Sequence, residues 1–224
     1  MVYLISKRRL HQSEEVSLVA SLLSILLFRH TALYGIDPFA IMVISTVIYF
    51  IRSRLIYSAI VLLSIGINEK IILLFAILGI SRLLFGKNKS NVHVIVPSAA
   101  LVLYLGIRYL VNAPGCEYQL DPSTYLSSLH FNILQTSSLK GLVLNILPTL
   151  IMVALYICAL IANKQRSLSA KWYFQPADIL PLVGLFIIAH MVRVEYNVGR
   201  ITLYCLPLYL PLASSVLASK LSEN

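Results

Sequence analysis

Charged residues are scarce in this sequence: Asp, Glu, Lys and Arg make up 12% of its 224 residues, about half of the roughly one quarter that soluble domains carry. With 58% hydrophobic residues and a mean hydropathy of +0.84, one water-soluble core could not take in the apolar surface. The composition therefore reads as an integral membrane protein. Acidic residues are the rarest charge, 9 against 18 basic ones. In a soluble chain that excess would raise nucleic acid as a partner; here membrane orientation explains it first, and no nucleic acid is expected. Cys116, Cys158 and Cys205 are the three cysteines and fall in separate segments, which excludes a disulfide framework and a CxxC metal or redox pair. GxGxxG, GxxxxGK[ST], GxSxG and HExxH are all absent, so no nucleotide cofactor and no metal is indicated. There is no internal repeat, low-complexity tract or second domain, and residues 1–224 read as a single membrane domain.

What is present is a series of apolar stretches at about 16–28, 38–51, 55–67, 71–85, 92–111, 141–162, 177–192 and 201–218. They predict an all-α, polytopic helical bundle of about eight transmembrane or part-spanning helices. Eight spans place both termini on one side. If that side is cytoplasmic, it receives 12 of the 18 basic residues, including Lys7, Arg8, Arg9, Arg52, Arg54, Arg82 and Lys164, as the retention of Lys and Arg on the cytoplasmic side requires. A bacterial inner membrane is the expected location. The run Val16 to Phe28 has signal-peptide proportions, but Glu14 and Glu15 interrupt the basic start, and it reads as retained.

Leu55 to Phe85 is the informative stretch. Its 31 residues make about 46 Å of helix, too long for one ordinary crossing and too short for two. Asn68, Glu69 and Lys70 stand at its centre, so the sequence predicts a hairpin that turns there in preference to one strongly tilted helix, and both place Glu69 at membrane depth facing protein, water or ligand. The loop 112–140 is expected outside the cytoplasm and carries its own helix: Asp121 caps it, Pro122 opens it, and Tyr125, Leu126, Leu129, Ile133 and Leu134 recur at helical spacing. That pattern predicts an interfacial helix. Trp172, Tyr173 and Phe174 beside Lys171 read as an interfacial anchor.

On this topology Arg29, His30, Asp37, Asn68, Glu69, Lys70, Arg108, His130, Arg193, Glu195 and Arg200 share the extracytoplasmic side. Arranged around a cavity, such a set could bind an anionic head group through Lys or Arg and leave a carboxylate to accept a proton. Each has a plainer reading: Asp37 before Pro38 as a helix cap, Arg193 and Arg200 as snorkelling side chains, Arg108 as an anchor, and Glu69 with Lys70 as a self-neutralising buried pair.

The segments YGIDPFAIMVISTVIYFIRSR, LIYSAIVLLSIGINEKIILLFAI and VEYNVGRITLYCLPLYLPLAS resemble the body of GT-C-type multipass glycosyltransferases and their bacterial relatives over about residues 30–218. In that family an Asp-Pro opens a span, a polar turn interrupts an apolar hairpin, and an Arg-containing turn leads into a proline-bearing helix. The resemblance implies a polyprenyl-phosphate sugar as donor substrate, extracytoplasmic action and a role in cell-envelope glycans. It implies substrate-binding roles for Asp37, Asn68, Glu69, Lys70 and Arg200, with Lys70 and Arg200 on the donor phosphate; Glu195 is added from its location alone. The family's catalytic carboxylate lies in a first outer loop that has no counterpart in RHTALYGID, so the catalytic residue is unassigned and the chain is expected to be a shortened or non-catalytic member. Two other classes stay open: a small multipass transporter coupled through Glu69 and Lys70, and a non-catalytic subunit that supplies helices to a partner membrane assembly.

Overall fold

The computed structural model describes residues 1–32, 37–85, 91–111, 122–164, 173–191 and 198–222, with the side chains at 28–32, 37–38, 108, 111, 122 and 219–222 excepted. No strand occurs among the described residues. A short α1 (Val2–Leu4) runs into a π turn (Ile5–Arg9) and is followed by α2 (Glu14–Ala32), α3 (Asp37–Tyr49) and α4 (Arg54–Leu63), which closes in a 3-10 turn (Ser64–Gly66). Then come α5 (Glu69–Phe85), α6 (Val92–Val111) and α7 (Pro122–Thr136). Next α8 (Leu139–Gly141) passes through a π turn (Leu142–Ile146) into α9 (Leu147–Lys164), and a 3-10 turn (Pro176–Asp178) opens α10 (Ile179–Met191). Finally α11 (Val198–Thr202) leads through a 3-10 turn (Leu203–Cys205) into α12 (Leu206–Ser222).

Each of the eight apolar stretches is helical, but eight full crossings are not supported. Among the described residues two helical segments are long and apolar enough to cross a membrane, Leu139–Lys164 and Val198–Ala218, while Phe39–Tyr49, Arg54–Gly66, Val92–Ile107 and Pro176–Met191 are shorter. The shortening has local causes. Helix α4 tightens into its 3-10 turn and gives way at Ile67, and Pro176 fixes the start of the segment that becomes α10; proline at the first helical position can begin a helix but not continue one.

The two long helices play opposite parts. Only 22% of the Leu139–Lys164 window is buried, against 78% for Val198–Ala218. Every residue from 201 to 214 is buried, because LeuProLeuTyrLeuProLeuAla is apolar on all sides and carries no charge. Around this central helix pack α9, α2, α3 and the amino-terminal segment, while α5, α6 and α4 form a second group joined to the rest mainly through α10.

The chain does reverse at Ile67–Asn68. Tyr57 of α4 meets Phe75 of α5 edge-on with ring centroids 6.0 Å apart, whereas a continuous helix would hold these positions about 27 Å apart. Helix α6 then returns along α5. Pro97 lies inside α6 and has no N–H for the His93 carbonyl. Gly79 of α5 comes against that same carbonyl, so closely that a Cβ on Gly79 would stand 2.1 Å from the oxygen.

One sequence expectation fails on burial. Tyr173 and Phe174 are each 1% exposed and belong to the core, not to an interfacial anchor; Trp172 lies outside the described residues. Helix α7 exists and begins at Pro122, yet it packs through its polar edge: Ser128 and Asn132 are buried while Leu126, Ile133 and Leu134 are exposed. Asn132 Nδ2 donates to the His190 carbonyl at 2.9 Å, capping the carboxyl end of α10. Asp121 lies outside the described residues.

The Gly79 contact leads to a test. Gly79→Ala should destabilise the purified chain by about 1–3 kcal/mol in denaturant unfolding, the range for overpacking a tight contact. Gly106→Ala, where a Cβ meets nothing within 4 Å, should be no less stable than the wild type and gain about 0.5–1 kcal/mol from the helix preference of Ala over Gly. Equal unfolding of both variants would refute the close approach.

Candidate functional site

Polar side chains gather at the two ends of α5. Asn68 precedes its first turn and Arg82 lies in its last, so the two centres are about 20 Å apart along the helix.

At the Asn68 end, the Asn68 Oδ1 accepts from the Lys70 backbone N–H at 2.9 Å, which fixes the start of α5. Its Nδ2 reaches the Tyr204 hydroxyl at 3.4 Å. The Lys70 ammonium stands 5.9 Å from the centre of the Tyr204 ring, within cation–π range. Glu69 turns the other way, accepting from the Tyr104 hydroxyl of α6 at 3.4 Å. No ion pair within 4.0 Å joins Glu69 to Lys70 among the described residues, so the two adjacent charges do not neutralise one another.

Tyr204 is fully buried, and Arg200 stands four residues before it on α11, partly buried. The placement of α11 depends on two small structural devices. Asn145, buried within the π turn, accepts from the Val198 backbone N–H at 3.2 Å and donates to Thr136 Oγ1 at 3.0 Å, tying α7 and α11 together. Gly199 lies so near the same turn that a Cβ would sit 2.4 Å from the Leu144 carbonyl oxygen and 2.7 Å from that of Asn145. One turn on, the Thr149 and Thr202 hydroxyls are 3.3 Å apart.

The structure thus brings Asn68 and Lys70 to the segment that carries Arg200, and turns Glu69 toward α6. Asp37 opens α3, but its side chain lies outside the described residues, as does all of Glu195. Among the described residues no group of three or more His, Cys, Asp or Glu could hold a metal ion. Tyr104 and Tyr204 were not anticipated. Their signal was faint, a tyrosine in an apolar run, since tyrosine inside a membrane helix needs a partner for its hydroxyl.

The Arg82 end was missed altogether. Arg82 Nε and one terminal nitrogen donate to the two Asp178 oxygens at 2.9 and 2.7 Å, and that nitrogen also reaches the Tyr173 carbonyl at 2.7 Å. Asp178 Oδ2 accepts in addition from the Gln175 backbone N–H at 2.9 Å. Both side chains are buried, Asp178 completely, so a fork-to-fork pair holds α5 on the turn that starts α10. The same turn grips the central helix. Pro211 lacks the N–H that would bond the Pro207 carbonyl, and the Tyr173 hydroxyl donates to that carbonyl instead. The Tyr209 hydroxyl donates to the Asp178 carbonyl at 2.6 Å. Burial raises the Tyr173 phenol well above the ordinary tyrosine range, so it remains a donor throughout the physiological pH range.

Comparison with protein-family models, with curated proteins and with solved structures finds no match for the chain.

Removing one partner of the buried pair should be far worse than removing both. Arg82→Met or Asp178→Leu alone should cost about 3–5 kcal/mol of stability by stranding a buried charge, and the Arg82→Met/Asp178→Leu double variant should recover much of it. The check is the folded, monodisperse yield and unfolding midpoint of the three variants; additive losses would refute the coupling.

Proposed function

We propose that this chain is a multipass membrane protein that binds a lipid-phosphate-linked sugar on its extracytoplasmic side, a shortened or non-catalytic relative of GT-C-type glycosyltransferases. The observation that carries the reading is the meeting of the Asn68–Lys70 turn with Tyr204, one turn from Arg200, at one end of a bundle whose outer surface is apolar. Lys70 and Arg200 would hold the phosphate of a polyprenyl-phosphate donor, and Glu69 would orient a sugar hydroxyl or its Tyr104 neighbour. Asp37 and Glu195 complete the proposed substrate-binding set. No catalytic residue is assigned.

The membrane part of the reading rests on exposure. Leu22, Leu63, Val102, Leu126, Leu150 and Ile187, one each on α2, α4, α6, α7, α9 and α10, are all more than half exposed. Soluble monomers rarely expose contiguous apolar patches beyond a few hundred Å², and α7 turning its leucines outward while burying Ser128 and Asn132 is the polarity that lipid favours. The short helices between Phe39 and Gly66 would be part-spanning. The side assignment rests on the basic-residue distribution: both termini cytoplasmic, in an inner membrane of bacterial type.

A second reading, a small multipass transporter or non-catalytic subunit of a larger assembly, is favoured by one observation: polar centres stand at both ends of α5, as a protein that opens to either face would need.

Two measurements test the proposal. An impermeant thiol reagent applied to intact cells, after replacement of Cys116, should label a cysteine at Gln119 and spare cysteines at Lys89 and Arg166; the reverse pattern would overturn the topology. Purified chain in nanodiscs should bind a polyprenyl phosphate, and Lys70→Met or Arg200→Met should weaken it about tenfold or more, as expected for loss of a charge-assisted contact, with the unfolding midpoint retained. Unchanged affinity in both variants would refute the phosphate role. Saturable uptake of a soluble solute by vesicles holding the chain would favour the transporter.

A further inference from the structure

The amino-terminal segment is built into the opposite end of the bundle. Val2, Ile5, Ser6, Leu10 and Gln12 are buried, and Gln12 Nε2 donates to the Pro211 carbonyl of α12 at 2.6 Å while its Oε1 accepts from the Ser6 hydroxyl. Ser17 Oγ, at the start of α2, donates to Ser6 Oγ at 3.2 Å. Inward anchoring of one face of this short helix leaves Lys7 part-exposed and Arg8 and His11 exposed. The chain then turns at His11, whose φ of 52° is in the left-handed region, and enters α2.

The same segment is fastened to the end of α3. The Arg9 guanidinium lies over the Tyr49 ring, 4.6 Å from its centre, and the chain beyond Tyr49 carries Arg52 and Arg54, both exposed. Two stretches more than forty residues apart in sequence therefore bring Lys7, Arg8, Arg9, Arg52 and Arg54 to one end of the molecule. Among the described residues the exposed carboxylates beside this cluster are Glu14 and Glu15, Asp178 being buried against Arg82; Glu14 lies 3.9 Å from the Lys7 ammonium. Cations outnumber them. Arg9 Nε is buried and has no hydrogen-bond partner among the described residues, so the guanidinium is held against Tyr49 by packing and not by a carboxylate.

We propose that this basic end is a binding surface for the head groups of anionic phospholipids, with Arg8, Arg9 and Arg54 as its centre. The inference rests on the membrane reading above. A phosphodiester monoanion at the bilayer surface presents oxygens that guanidinium forks match, and Tyr49 and Phe50, packed edge-on with ring centroids 4.9 Å apart, provide aromatic bulk of the kind that sits at head-group level. The cations gather where an anionic cytoplasmic leaflet would lie, and the attraction there falls off within a Debye length. Because the segment is pinned by Gln12 to the central helix, a bound head group would also hold α1, α2 and α12 together.

The experiment uses the full chain in uncharged detergent, titrated with short-chain phosphatidylglycerol, phosphatidylcholine or inorganic phosphate while the unfolding midpoint is followed. Phosphatidylglycerol should raise the midpoint and phosphatidylcholine should not. Arg8→Gln/Arg9→Gln/Arg54→Gln should weaken the phosphatidylglycerol response about tenfold or more, and the corresponding triple Lys variant should keep most of it. Equal stabilisation by inorganic phosphate would overturn the lipid assignment in favour of a free-anion site, and an indifferent wild type would overturn it outright. Native mass spectrometry of the wild type, counting retained phosphatidylglycerol against phosphatidylcholine, decides the matter if the Gln variant does not fold, equal retention refuting the proposal. Release of the wild type from membranes by alkaline washing would refute the membrane reading itself; retention there without a phosphatidylglycerol response refutes only this inference.

Discussion

Arg82 and Asp178 cannot be buried separately, and the arrangement of one whole end of the bundle follows from burying them together. An unpaired charge inside the protein costs several kcal/mol, whereas a forked pair with its remaining valences met is tolerated. Meeting those valences takes the Tyr173 carbonyl and the Gln175 N–H, which compels residues 173–175 to fold inward with Asp178. Once that loop is inside, the Tyr173 hydroxyl is in place to supply the hydrogen bond that Pro211 denies to Pro207. The ion pair, the buried aromatic loop and the proline-bearing central helix are one connected structure.

Elsewhere the contacts are those expected of helices whose alternative neighbour is lipid. With acyl chains as apolar as leucine, helices gain little by hiding leucine from them and associate through close packing and interhelical hydrogen bonds. Gly79 on the His93 carbonyl and Gly199 on the Leu144 and Asn145 carbonyls are backbone-to-backbone approaches of that kind. Asn132 and Asn145 supply the hydrogen bonds, reaching α10 and α11 across 58 and 53 positions.

How much of this was legible in the sequence depended on the range of the interaction. The eight helical stretches follow from runs of apolar residues, and the reversal at Asn68 follows from a length that suits neither one crossing nor two. Both are local properties. The Arg82–Asp178 pair spans 96 positions, and Arg82 in isolation reads like any basic residue at a helix end. Tyr173 and Phe174 looked interfacial because Trp172 and Lys171 flank them, yet the pull of the buried arginine on the Tyr173 carbonyl outweighs that preference. Helix α7 was legible as a helix but not in its facing, since periodicity gives an apolar stripe without saying whether protein or lipid meets it. At the candidate site, Asn68, Glu69 and Lys70 stood out as polar residues in an apolar run. Tyr104 and Tyr204 did not, because each is unremarkable until the fold supplies its partner.

The position of α12 along the chain has a consequence for how the protein is made. Every element that lines the slot around residues 201–214, from α1 and α2 through α3 to α9, is synthesised before the helix that fills it. During translation those helices must wait with their inner faces unoccupied, held apart or loosely associated, since the helix that takes the central place is the last to be made. Packing is therefore completed by contacts of long sequence separation, the slowest to form. A ribosome stalled between α9 and α12 would leave a set of helices with a vacancy at its axis, open to any other apolar helix nearby.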